Sequence, residues 1–177
     1  MNFCLRVVAA YGLAFLAGPV LFAAEIVHQA PAEFLEQQLP DCSQRALWLD
    51  RALKDEAEAL LDRPYAGVRV RYCELDGRTA WILDEIGKTE PITTGIVIDD
   101  GRVEQVRVLV FRESRGGEVH RDAFTRQYRQ ASLDEDYRLD RTIDGITGAT
   151  LSVWALNRQV RLALLFDRAV RAQADDA

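Results

Sequence analysis

Apolar positions along the chain fall into two repeating spacings, and each change of spacing marks an element. Pro31-Ala32-Glu33 reads as the first turn of a helix that runs to Leu35 and Leu39. Arg51–Leu61 (RALKDEAEALL) is a second, strongly helix-forming stretch. Between them Ala46-Leu47-Trp48-Leu49 has the size and character of a short strand. Residues 68–72 then alternate apolar and basic, and Asp76-Gly77 turns them into residues 79–83, which is a hairpin pattern. A second hairpin follows, with residues 94–98 meeting Asp100-Gly101 and then residues 103–111. In that last strand Val106, Val108 and Val110 are expected on one face, and Arg107, Leu109 and Phe111 on the other. From Val153 the spacing becomes helical again through Leu156, Val160 and Leu164. The expected class is therefore α+β, a twisted antiparallel sheet with flanking helices and a long C-terminal helix.

Two stretches stand outside this pattern. The sheet ends in residues 112–120, Arg-Glu-Ser-Arg-Gly-Gly-Glu-Val-His, where adjacent glycines allow positive φ and close approach of backbone to a ligand, although a plain connection also uses glycine. A helix is expected next, with Arg121-Asp122 near its start and Phe124, Gln127 and Tyr128 along it. The two aromatics have core spacing, or else they roof a ligand.

The N-terminal 24 residues read as a secretory signal. A short polar start closes at Arg6, an uncharged run of 18 residues (7–24) follows, and Gly18-Pro19 breaks it shortly before Phe22-Ala23-Ala24. Leu21 or Phe22 at the −3 place fits the small-x-small rule poorly, so an uncleaved anchor formed by residues 7–24 is the alternative. Either way residues 25–177 are expected to form one domain in the periplasm or another extracytoplasmic space. Losing residues 1–24 removes Arg6 and no acid, which moves the net charge from −6 to −7. An acidic domain of this kind is a poor nucleic-acid binder. Removal also takes Cys4 and leaves Cys42 and Cys73, either a disulfide pair or two separate core residues. With two histidines and no CxxC, a zinc, haem or iron–sulfur site is not expected.

The most informative string is Asp144-Gly145-Ile146-Thr147-Gly148-Ala149-Thr150, which opens the long helix. A helix start presents free N–H groups and the positive end of the dipole, which favour a phosphate by about 0.3–1 kcal/mol at an exposed site. Thr147 or Thr150 as a simple helix cap is the competing explanation.

Asp-Gly-x-Thr-Gly-Ala-Thr resembles the flavinylation motif of the FMN-binding domain family, which includes the C subunit of sodium-translocating NADH:quinone reductase and the G subunit of the Rnf electron-transport complex. The resemblance runs over roughly residues 68–165, through strand hairpins, glycine loop, helix and motif helix. It implies covalent FMN on Thr150 through a phosphoester bond. Asp144, Gly145, Thr147, Gly148 and Ala149 then form the recognition sequence of an exported flavin transferase that uses FAD and magnesium. Glu113-Ser114-Arg115-Gly116 is similar to the Glu-Thr-Pro-Gly loop near the flavin in those subunits, with Arg115 in the proline's place. Glu113, Ser114 and Gly116 are carried over as flavin-proximal residues.

The residues themselves limit the chemistry. A threonine hydroxyl needs a base to become a nucleophile, and no His, Lys or Cys lies inside the motif, so self-flavinylation is not expected. The diester keeps one negative charge, for which Arg112, Arg115, Arg141 and Arg158 are the candidate partners. No dinucleotide fingerprint is present. The expected function is an extracytoplasmic electron carrier that works beside a membrane-bound redox protein bearing haem, quinone or another flavin. The alternatives are a cell-envelope sensory or assembly module with non-covalent FMN, a hydrolase built on Ser114 or Thr150 with His120, and a purely structural domain.

Overall fold

The computed structural model describes residues 25–175. The segment read as signal or anchor, residues 1–24, lies outside them. In chain order the elements are β1 (Ile26–Val27), α1 (Pro31–Gln38), β2 (Ser43–Trp48), α2 (Arg51–Leu61), β3 (Arg69–Leu75), β4 (Arg78–Ile86), β5 (Pro91–Asp99), β6 (Arg102–Phe111), α3 (Asp122–Thr125) and α4 (Thr150–Asp175). The six strands form one antiparallel sheet in the order β1-β6-β5-β4-β3-β2. Among the described residues no helix is long and apolar enough to cross a membrane.

Both expected hairpins form where the Asp-Gly pairs stand. Asp76 and Gly77 have φ of 51° and 78°, Asp100 and Gly101 of 45° and 68°. Two successive positive φ values give the turn whose twist matches paired strands.

The sheet buries both faces. On one, α2 and α4 cover Trp81, Ile92, Ile96, Ile98, Val106 and Val108. On the other, Phe34 and Leu39 of the α1 segment cover Ala80, Val97, Leu109 and Val110. Gly95 makes room for the second layer, because a Cβ there would lie 2.5 Å from the Phe34 ring.

Strict alternation fails near the end of β6. Thr93 pairs with Val110 but Thr94 with Val108, so Leu109 is an extra residue on that strand. This bulge resets the faces: Val110 turns to the α1 side with Leu109, and Phe111 joins Val106 and Val108 under α4. The continuous helix expected from Arg121 is also absent. Residues 117–120 and 126–128 are 3-10 turns on either side of the four-residue α3. The chain is drawn back onto β6 there, with Gln130 N–H donating to Val103 C=O (2.7 Å) and Val103 N–H to Ala131 C=O (2.9 Å). Phe124 and Tyr128 are core residues packed edge to face, and the Tyr128 hydroxyl donates to Asn157 of α4 (2.7 Å). They do not roof a ligand.

Polar contacts fix α4 on the sheet. Gln159 is fully buried and donates from Nε2 to the carbonyls of Leu83 (3.0 Å) and Ile92 (2.6 Å), one on each side of the β4–β5 turn. Asp167, also fully buried, accepts from Thr79 Oγ1 (2.6 Å) and Arg171 Nε (2.8 Å). Because these bonds set α4 against β4 and β5, they also set the start of α4 relative to the β4–β5 turn.

Cys42 and Cys73 form a disulfide across a sequence separation of 31. Closing a loop of that size stabilises the folded chain by about 3–4 kcal/mol through the unfolded state. Reduction, or a Cys42→Ser and Cys73→Ser pair, is expected to lower the thermal midpoint by many degrees. Melting with and without a thiol reductant measures it.

Candidate functional site

Three backbone segments meet at the N-terminal end of α4: the β4–β5 turn, the loop after β6 and the motif strap. Val153 N–H donates to Ala149 C=O (3.0 Å), which makes Ala149 the N-cap and Thr150 the first helical residue. Ala149 has no side-chain acceptor, so the amides of Thr150, Leu151 and Ser152 have no capping oxygen from it. Neither expected cap, Thr147 or Thr150, occupies the N-cap place. Just before it, Ala149 N–H donates to Ile146 C=O (3.0 Å), and Gly148 in this turn has φ +83°. A Cβ at Gly148 would meet nothing within 4 Å, so the missing side chain leaves open space in front of Thr150. The Thr150 side chain is exposed while Ala149 is buried.

A cavity of about 590 Å³ opens here, lined by Lys88, Glu113, Ser114, Arg115 and residues 148–152. A second of about 510 Å³ lies across the Ser114-Arg115 ridge and takes in Gly116, Gly117, His120, Thr147 and Gly148. The fold therefore brings Glu113, Ser114 and Gly116 to Thr147, Gly148, Ala149 and Thr150. Asp144 and Gly145 line neither cavity. They stand exposed on the strap, anchored where Asp144 N–H donates to Gln127 Oε1 (2.8 Å).

Gly116 is the tight point of this assembly. It has φ +85°, and a Cβ there would fall 2.6 Å from Ser152 Oγ and 3.3 Å from Ala149 Cβ. Its neighbour Gly117 carries neither constraint: its Cβ would make ordinary contact with the Phe111 ring at 3.5 Å.

Glu113 has a structural task beside its place in the wall. One carboxylate oxygen accepts from the amides of Lys88, Thr89 (2.6 Å) and Glu90 (2.9 Å), and the other from Thr89 Oγ1 (3.3 Å). Burial alone pushes this carboxyl up, and the amide bonds outweigh it, so its pKa lies below the ordinary value near 4.5. A carboxyl depressed by folding stabilises above its unfolded pKa, and that contribution is lost as pH falls through the folded one. Glu113→Gln is accordingly expected to cost about 1–3 kcal/mol at neutral pH. The gap from wild type should close on acidification below the ordinary glutamate range, as read from denaturant unfolding at a series of pH values.

Of the four arginines considered for the phosphate, Arg115 lines both cavities. Arg112 is held by Glu25 (3.1 Å), Pro91 C=O and Thr93 Oγ1. Arg141 binds Asp140 and the carbonyls of Arg129 and Gln130, and Arg158 lies by the buried Glu85 (3.6 Å). Lys88, which no local signal marks in the sequence, is the second cation of the wall. His120 is stacked on His28 (ring centroids 4.2 Å apart), and its Nδ1 donates to Gly117 C=O (2.5 Å). Among the described residues no carboxylate orients it, so the triad logic of a hydrolase has no third member here.

Compared with known proteins, residues 87–165 match the model of the FMN-binding domain family. That span starts at the β4–β5 turn and ends within α4, enclosing every wall of the first cavity. The chain matches no curated protein and no solved structure.

Proposed function

With residues 87–165 belonging to the FMN-binding domain family, we propose that this flavin-binding protein carries its FMN covalently on Thr150 and relays electrons as an extracytoplasmic carrier. The observation that carries the reading is the state of Thr150: an exposed hydroxyl at the first position of an uncapped helix, beside Lys88 and Arg115.

The donor set suits a singly charged phosphodiester. Free amides at the helix start, the positive dipole end and two cations all favour one negative charge held there. The open space left by Gly148 admits the phosphate without a side chain in the way. FMN itself supplies the capacity to accept and return electrons. What the chain contributes is position and charge.

Attachment needs an outside agent. Among the described residues the one carboxylate in the cavity wall is Glu113, whose Oε1 is engaged by the amides of residues 88–90 and which is a weaker base than an ordinary glutamate. The other charged groups of that wall, Lys88 and Arg115, are cations. A flavin transferase would supply the base. The Thr150 oxygen attacks the FMN phosphorus of FAD, the pyrophosphate P–O bond breaks, AMP leaves, and the hydroxyl proton passes to the transferase. The exposed strap Asp144-Gly145 gives such an enzyme a segment to grip.

A tethered flavin stays beside its partner at a fixed effective concentration instead of diffusing away, which is an advantage outside the cytoplasm. The partner class that fits is a membrane-bound redox protein bearing haem, quinone or flavin. The test is co-expression with a flavin transferase, followed by peptide mass analysis. The peptide containing Thr150 is expected to gain riboflavin phosphate less one water. Flavin that leaves the band on denaturation would favour non-covalent binding in an envelope sensor or assembly module, and an unmodified, colourless protein would overturn the reading.

A further inference from the structure

Two large apolar side chains stand exposed on the first turns of α4, Leu151 (40% exposed) and Trp154 (52%). Leu151 lines the cavity that holds Thr150, and Trp154 is four residues on, which puts it on the same stripe of the helix as Thr150. Helical side chains lean toward the N-terminus, so an indole at 154 covers the turn that begins at Thr150 and Leu151.

Of the other tryptophans, Trp48 is 64% exposed on β2, away from the cavity, with the Arg69 guanidinium 5.6 Å from its ring centroid, and Trp81 is buried and stacked on Tyr72. Among the described residues Trp154 takes part in no ring stacking and no cation–π contact. Unlike Trp48, Trp154 stands one turn from Thr150 beside the exposed Leu151, and this apolar pair at the cavity suits a planar, apolar occupant.

Resting on the proposed attachment at Thr150, we propose that the isoalloxazine ring lies against Trp154 and Leu151, with Trp154 as a positioning residue for the tethered flavin. The chemistry of the surroundings divides along the ligand. The wall formed by Lys88, Ser114 and Arg115 suits the phosphate and the ribityl hydroxyls, whereas Leu151 and Trp154 suit the ring. The five-carbon ribityl phosphate arm is longer than the helical rise of about 5.4 Å per turn, so the ring reaches the indole without moving the helix. Stacking covers one face of the ring and leaves the other to a partner.

The indole also provides an optical signature. An excited flavin in contact with tryptophan takes an electron from it and returns it without light, so emission is quenched with no net redox change. The experiment uses the full chain co-expressed with a flavin transferase, with loading at Thr150 measured first by peptide mass. At equal loading, native flavin emission is expected to be low in wild type, to rise severalfold in Trp154→Ala and to stay low in Trp48→Ala. Iodide quenching should increase in Trp154→Ala, and Trp154→Phe should restore protection from iodide while leaving emission high. Equal emission and equal iodide access in wild type and Trp154→Ala, both modified at Thr150, would overturn this proposal alone. A wild type unmodified at Thr150 would overturn the attachment and the platform together.

Discussion

Thr150→Ala is expected to abolish covalent flavin and to leave the fold almost untouched. The two halves of that statement have different causes. The proposed attachment uses one oxygen atom, and neither Ser114 nor Ser152, the other hydroxyls lining the cavity, holds the first place of the helix. Stability depends on the cap, and the cap residue is Ala149. Had Thr150 been the N-cap, its removal would have cost about 0.5–2 kcal/mol. As a first-turn residue it is replaced by the best helix former, so the change should stay within about 0.5 kcal/mol. Fluorescence of the denatured band, read beside a thermal melt, checks both halves. A fluorescent alanine variant would refute the assignment, and a colourless variant with an unchanged melt would support it.

Gly116→Val is expected to damage site and fold together. At φ +85° a β-branched residue is strained, and its Cβ would press on Ser152 Oγ at 2.6 Å and on Ala149 at 3.3 Å. The serine hydroxyl can rotate away. The Ala149 contact and the backbone strain remain, because Ala149 is the residue from which α4 starts. A cost on the order of 3 kcal/mol is expected, with a matching loss of flavin loading. Gly117→Ala is the control: it is adjacent in sequence, has room against Phe111, and should change the melt by less than about 1 kcal/mol. Equal damage from both substitutions would show that the loop tolerates no side chain anywhere and that Gly116 has no special place in it.

What could be read in the sequence was what short-range chemistry decides. Asp76-Gly77 and Asp100-Gly101 announce their turns because two successive positive φ values favour those residues. The repeat from Val153 announces α4 because one side of it is buried. The reversal at Val110 and Phe111 was not legible, since a bulge is a property of pairing with β5 and not of β6 alone. Nor was β1, a two-residue strand held by its register with Val110 and Phe111. The helix expected from Arg121 breaks because Gln130 and Ala131 pair with Val103, contacts between residues far apart in the chain. Cys42 and Cys73 left two readings open; Cys73 pairs with Gln44, and Cys42 just before β2 lies close enough to bridge to it. At the candidate site, Thr147 to Thr150 lie within the string that the sequence marks out. Lys88 enters from a turn with no motif, brought in by Gln159 bridging the two strands on either side.

The crosslink sits at one border of the sheet, and the proposed flavin site hangs from the strands beyond it. Cys42 and Cys73 fasten β2 to β3, while the cavity walls hang from β4, β5 and β6 and from α4. If a reductant ever reaches the bridge, fraying should begin at the β2 margin and spread inward strand by strand. The protein would surrender that hem first and the proposed site last.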